Sequence, residues 1–290
     1  STQSRSSAAS DVYKRQITQA EDILNQFSND PLKDNSLLEQ LFALLPRKMK
    51  NVADYLLPAD ADPEQIQNVI DRETDLLRMM ETQMQALPSN DSKEKTLLEE
   101  WNLSITPVNN EKELWQIKRH MGHSADCFSK AFRVKNSNRD NAFWNYYDKH
   151  NYHKEDIHYW YHGSRNMNCL SILHNGLILN PKAPKVGHMF GYGIYLAPKA
   201  KKSIGYTSLN GSFWVHGTSD KAYLFVMKTV YKSPYHVYTW TSGMKSLTKS
   251  RISPHDAVFA HAGTSLRNDE VVIFDDAQVT LQYIIELKQQ

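Results

Sequence analysis

Three short runs carry residue types that could bind and turn over a flat polar ring: His162-Gly163-Ser164-Arg165, Gly191-Tyr192-Gly193-Ile194-Tyr195 and Ser203-Ile204-Gly205-Tyr206. Glycines at 163, 191 and 193 let backbone turn sharply or approach a ligand closely, and Tyr195 and Tyr206 offer faces on which a ring can stack. A strand edge can read a carboxamide through its N–H and C=O groups, and stacking a base on an aromatic side chain contributes about 1–3 kcal/mol. A planar aromatic amide suits this set, and nicotinamide has that shape. The glycines do not form the dinucleotide fingerprint, because no G-x-G-x-x-G follows a strand and opens a helix, so NAD, if bound, sits in another fold. An ordinary turn between strands also fits these residues, and their types alone leave that alternative open.

The elements that must position these side chains fall into two groups. From about Tyr13 to Asn90 the apolar period is helical. Ser36 and Glu39 have capping-box spacing ahead of Leu37, Leu38, Leu41, Leu44 and Leu45, with Pro46 as the stop. Asp62-Pro63 opens a long helix whose stripe is Ile66, Val69, Ile70, Leu77, Met80, Met84 and Leu87, ending before Pro88. That stripe reads as packing against neighbouring helices. After residue 95 the β-branched and aromatic content rises, and strands are expected around Phe128–Lys135, Trp160–His162, Tyr223–Val230, Glu270–Phe274 and Thr280–Leu287. One helix is expected at Asn168–Asn175, closed by Gly176, and another within Pro198–Tyr206.

Composition bounds the rest. The chain has 290 residues, 40% hydrophobic and 11% aromatic, enough for one large core or two smaller ones. Its 34 basic and 32 acidic residues leave a net charge of +2, which gives no global pull toward nucleic acid or membrane, and no basic stripe appears. No apolar run approaches the roughly 18 residues of a membrane span. Cys127 and Cys169 lack metal-site spacing and are too few for a disulfide framework, so they read as buried thiols in a reducing compartment. His150, His153, His158 and His162 raise a zinc possibility, but no cysteine or carboxylate has ligand-like spacing around them, so no metal is expected. The Ser/Ala-rich residues 1–12 are expected to be a disordered terminal remnant outside the fold.

"YHGSR", "GHMFGYGIYLA", "KKSIGY" and "SLRNDEVVIFDDAQVTLQYIIEL" together resemble, in the same order, the catalytic-domain motifs of the poly(ADP-ribose) polymerases. "LLEQLFALLPRKMKNVADYLLPADADPEQIQNVIDRETDLL" is similar to the later part of the helical regulatory domain that precedes catalysis in the DNA-dependent members, so the likeness runs from about Ile17 to the end. It implies an α+β fold: an N-terminal helical bundle over 13–95, then over 96–290 a mixed α/β ADP-ribosyltransferase domain built on two packed antiparallel β-sheets.

The resemblance also implies roles. His162, Tyr195 and Glu270 form the family's His-Tyr-Glu triad, with His162 on the adenosine ribose, Tyr195 stacked on nicotinamide and Glu270 bonded to the nicotinamide ribose. Gly163 clamps the carboxamide, Ser203 supplies a hydroxyl, Tyr206 a second stacking face, Ser164 an adenosine-side contact, and Lys202 lies near the diphosphate and acceptor. NAD+ is the implied co-substrate, and protein acceptors, the chain itself included, are the implied partners, with poly(ADP-ribose) elongation favoured by the glutamate. Single-unit transfer, or a pocket that binds without turnover, is the alternative. DNA dependence is expected only through missing domains or partners. No membrane role is expected, and the location is intracellular: nuclear in a eukaryote, cytoplasmic in a bacterium or virus. His188, Ile178 and Pro198 depart from the family's usual tyrosine, arginine and acidic residue at those motif positions.

Overall fold

The computed structural model describes residues 2–86, 95–179, 188–212 and 219–289. Leu87 and Pro88, the expected end of the long helix, lie outside the described residues. The chain divides into two compact units, Ser1–Ser89 with Asn180–His188, and Asn90–Leu179 with Met189–Gln290.

The first unit carries helices α1 (Thr2–Leu24), α2 (Pro31–Leu44) and α3 (Pro63–Gln85). The same device starts the last two. Asp30 accepts from the N–H groups of Leu32 and Lys33 with Pro31 at the first helical position, and Asp62 with Gln65 forms a reciprocal capping box ahead of Pro63. The cap placed at Ser36 by its spacing to Glu39 is therefore corrected: Asp30-Pro31 begins the helix earlier and Ser36 is interior to it. Residues 2–12, expected to be disordered, are likewise helical, continuous with the amphipathic part of α1. Ile17, Ala20 and Leu24, Leu38 and Leu41, and Ile66, Ile70 and Leu77 meet in one core, as three- and four-residue spacing requires. Beside it Glu73, 1% exposed, is held by Arg47 at 2.6 Å and Arg72 at 3.1 Å.

The second unit contains α4 (Leu97–Glu100), β1 (Leu103–Pro107), α5 (Glu111–Met121), β2 (Phe128–Asn136), α6 (Ser137–Lys149), β3 (Ile157–Gly163), α7 (Cys169–Asn175), β4 (Ile194–Leu196), α8 (Ala200–Ile204), β5 (Lys221–Val230), β6 (Pro234–Val237), α9 (Lys249–Ile252), β7 (Ala257–Ala260), β8 (Glu270–Ile273) and β9 (Val279–Lys288). The strands build a five-stranded sheet, β1-β2-β9-β5-β3, and a four-stranded sheet, β4-β8-β7-β6. The first is antiparallel throughout. The second corrects the all-antiparallel expectation, because β6 and β7 run parallel. Their connection through α9 is long enough for the crossover that a parallel pair needs.

The period-two alternation of the strands decides what each face touches. Phe225, Met227, Leu281 and Ile284 of the first sheet share one core with Ile194, Leu196, Val271 and Ile273 of the second. Tyr161, Leu224, Val226 and Ile285 pack instead with Ile117 and Met121 of α5 and Ala200 of α8. Val258, Ala260 and Val272 pack with Phe190 and Phe274, and with Tyr195, Trp240 and Leu247 around them. Tyr161 and Ala197 exchange two backbone hydrogen bonds at 2.9 Å, tying β3 to the residue that follows β4. Cys127 and Cys169 are free and half-buried rather than fully buried, and burial pushes both thiols up, Cys169 to about 12.

Candidate active site

β3 ends at the first motif. His162 lies opposite Phe225 and Gly163 opposite Leu224. The Tyr161–Ala197 bridge brings β4 alongside, and His162 Nδ1 lies 3.2 Å from the carbonyl oxygen of Tyr195. A carbonyl only accepts, so this contact requires the proton on Nδ1.

Gly163 is used for space. A Cβ built there would sit 1.7 Å from the carbonyl oxygen of Ser203, so the end of β3 and the backbone of α8 are in contact that no side chain could separate. α8 thereby brings Lys202 and Ser203 to the end of β3; Ser203 is buried, and Tyr206, two residues beyond the helix, is exposed. Ser164 Oγ accepts from Asn168 Nδ2 at 2.7 Å.

The glycine run forms the turn into β4. Gly191 has φ 77°, the left-handed region that favours glycine, and a Cβ there would lie 2.1 Å from the carbonyl oxygen of Leu247. The Tyr195 hydroxyl closes the turn, accepting from the N–H of Phe190 at 3.1 Å and donating to the carbonyl of Gly191 at 2.8 Å. Burial raises the phenol's pKa; the Phe190 N–H opposes the shift and the charge on Glu270 adds to it.

Tyr195 pairs with Val272 on β8, and Glu270 pairs with Ala260 on β7. Glu270 and Val272 are two residues apart and so share a face of β8, the face on which Tyr195 packs. At the start of that strand Lys202 Nζ lies 2.7 Å from Glu270 Oε1, with the two side chains 12% and 13% exposed.

His162 and Tyr195 are thus joined by a backbone contact, Tyr195 and Glu270 share a sheet face, and Glu270, Lys202, Ser203 and Gly163 are linked through α8. Three of the four histidines considered for zinc lie against different carbonyls: His150 Nδ1 against that of Tyr146, His158 Nε2 against that of Tyr231, and His162 Nδ1 against that of Tyr195. The motif reading missed Asn168, which carries no motif signal, and Leu247 and Trp240, which reach the site from far along the chain.

The arrangement places a carboxylate with an ammonium counter-charge on the sheet face that carries an aromatic ring, with α8 packed directly against the end of β3. Such a carboxylate can stabilise positive charge that develops on a sugar ring during cleavage of a glycosidic bond.

Comparison with known proteins agrees. Residues 111–289 match the poly(ADP-ribose) polymerase catalytic domain, a domain whose co-substrate is NAD+. A poly(ADP-ribose) polymerase of Drosophila melanogaster is 31% identical over 147 residues, 44% of this chain and 15% of the relative. Poly(ADP-ribose) polymerase 2 of Arabidopsis thaliana is 25% identical over 222 residues, 64% of this chain and 33% of the relative. Poly(ADP-ribose) polymerase 2 of Homo sapiens is 47% identical over a shorter stretch of 57 residues, 18% of this chain and 10% of the relative. The chain therefore spans a third or less of the length of these relatives. With the catalytic-domain match running over more than half of its residues, the chain belongs to the poly(ADP-ribose) polymerase family.

Proposed function

We infer that this chain transfers ADP-ribose from NAD+ to protein acceptors, itself included, and extends the product into poly(ADP-ribose). The observation that carries the reading is the Lys202–Glu270 pair at 2.7 Å, on the same sheet face as Tyr195 and within a match to the family's catalytic domain.

In this reading the nicotinamide carboxamide lies against the backbone of Gly163 with the Ser203 hydroxyl beside it, and the ring lies between Tyr195 and Tyr206. His162 and Ser164 hold the adenosine side. The bond between nicotinamide and the ribose C1′ breaks with its electron pair leaving on nicotinamide, and positive charge appears on the ribose. Glu270 is complementary to that charge, which is largest in the transition state, so its contribution goes to rate rather than to ground-state binding. The acceptor oxygen then bonds C1′ while Glu270 polarises the incoming hydroxyl, and its proton passes to solvent water. Lys202 supplies the counter-charge to Glu270 and lies toward the diphosphate and acceptor.

Residues 13–95 are read as the family's helical regulatory domain, a bundle whose local opening changes access of NAD+. Hydrogen exchange across α3 with and without an NAD analogue tests it, and unchanged protection refutes it. Any response to DNA would come through domains or partners outside this chain.

The test of the activity is incubation with labelled NAD+ beside a Glu270→Gln variant, resolved on a denaturing gel. A high-mass smear lost in the variant supports elongation through Glu270. One discrete band in both shifts the reading to single-unit transfer, and no labelled protein with NAD+ still bound shifts it to a binding module.

A further inference from the structure

Trp240 lies outside every motif. It stands three residues after β6, in the connection to β7, and its two donors go to two different segments. The indole Nε1–H donates to the carbonyl of Met189 at 2.7 Å, and the backbone N–H donates to Ser265 Oγ at 3.0 Å. Met189 precedes Phe190 and Gly191, whose backbone groups bond the Tyr195 hydroxyl. Ser265 lies in the loop that runs into Glu270, a loop closed by the Gly263 N–H on the carbonyl of Leu266 at 2.8 Å and by the Ala262 N–H on Asp269 Oδ1 at 2.7 Å. The same connection meets the tyrosine turn a second time at Leu247, whose carbonyl leaves no room for a side chain at Gly191 and accepts from the Tyr192 N–H at 3.4 Å. The indole is half-buried against the cluster that contains Phe190 and Val272, so the bridge is packed as well as bonded.

We propose that Trp240 is a positioning residue that sets the Tyr195 turn and the loop before Glu270 relative to each other, so that ring stacking and charge stabilisation act on one bound NAD+. This rests on the roles given above to Tyr195 and Glu270. The two bonds are separable by mutation. Trp240→Phe keeps an aromatic ring but removes the donor to Met189 together with part of the ring's packing, whereas Ser265→Ala removes only the acceptor on the glutamate side. A neutral hydrogen bond of this kind is worth about twofold to tenfold in an equilibrium constant.

The experiment uses the full chain, with benzamide as the probe of the nicotinamide pocket by calorimetry and steady-state turnover of NAD+ as the second readout. Trp240→Phe is expected to weaken benzamide about threefold to tenfold and to raise KM for NAD+. Ser265→Ala is expected to lower kcat by a similar factor with benzamide affinity unchanged, and Ser265→Thr, which keeps the hydroxyl, to restore kcat. Tyr195→Ala serves as the reference. If Tyr195→Ala loses benzamide while Trp240→Phe binds it as the parent chain does, the positioning role is wrong. If Tyr195→Ala also binds benzamide normally, the assignment of Tyr195 has failed and the proposal falls with it. Should Trp240→Phe not fold, the serine pair decides, and a Ser265→Ala kcat equal to that of the parent refutes the bridge.

Discussion

Replacing Gly163 by alanine tests the backbone contact on which the site is built. Gly163 is in ordinary strand backbone, so alanine meets no conformational penalty and the whole effect is steric. The added Cβ would lie 1.7 Å from the carbonyl oxygen of Ser203, half of an ordinary contact of 3.4 Å, and 2.6 Å from the carbonyl carbon. Both atoms are backbone, so no rotamer change relieves them, and β3 and α8 must separate by well over an ångström between them. The Tyr161–Ala197 bridge and the pairing with β5 hold β3, while buried Ala200 anchors α8. Overpacking of this kind costs about 1–3 kcal/mol, which for a domain of this size is a melting temperature lower by about 2–12 °C. The larger effect should be on turnover, since α8 carries Lys202 and Ser203, and a misplacement of about 1 Å can lower rate about 100-fold. Steady-state turnover of NAD+ and a thermal melt read both. A Gly163→Ala chain with activity within threefold of the parent and an unchanged melt would refute the argument.

Three further outcomes are expected. Tyr195→Phe keeps the ring but leaves the Gly191 carbonyl and Phe190 N–H without the hydroxyl, so urea unfolding should show a loss of about 1–3 kcal/mol while benzamide still binds. Burial holds the His158 pKa below its ordinary value, the Tyr231 carbonyl and the charges of Asp156 and Asp256 opposing the shift. The unfolded chain therefore takes up the proton first as pH falls, and this contribution to stability is complete above the ordinary histidine value of about 6.5 and fades as pH drops through the lowered one. His158→Phe should flatten that part of a melt-versus-pH curve, and an unchanged slope counts against it. Glu73→Gln leaves Arg47 and Arg72 facing a neutral group and should destabilise the helical unit by about 3 kcal/mol, the lower end for a buried pair because both arginines reach solvent. A loss under about 1 kcal/mol would mean that the pair behaves as a surface one.

Local chemistry made much of this legible in the chain. Asp62-Pro63 and the stripe from Ile66 to Met84 specified α3 because a cap, a proline and a helical period act over a few residues. The strands at Phe128, Tyr223, Glu270 and Thr280 were legible for the same reason: branched and aromatic residues alternate there within one element. The short strands β4, β6 and β7 were not expected, since three or four residues carry too little periodicity to read. Asp30 displaced Ser36 as the cap because proline at the first helical position supports the earlier start, a competition that capping-box spacing alone does not reveal.

The motifs pointed to candidate residues from the order of a few side chains, His162, Tyr195, Glu270 and the glycines between them. How those residues meet is a tertiary matter. Gly163 read as a ligand-facing glycine, and what makes it necessary on this structure is α8 lying against it. Lys202 and Glu270 are 68 positions apart in numbering and form an ion pair at 2.7 Å only because β8 inserts between β4 and β7. Trp240 has no sequence signal at all, because its contacts are with a carbonyl and a hydroxyl from two other segments, and only the crossover from β6 to β7 brings it between them. Residue type and short spacing act through bonds a few residues long, whereas contacts between segments depend on strand order and on which face of a sheet each residue occupies.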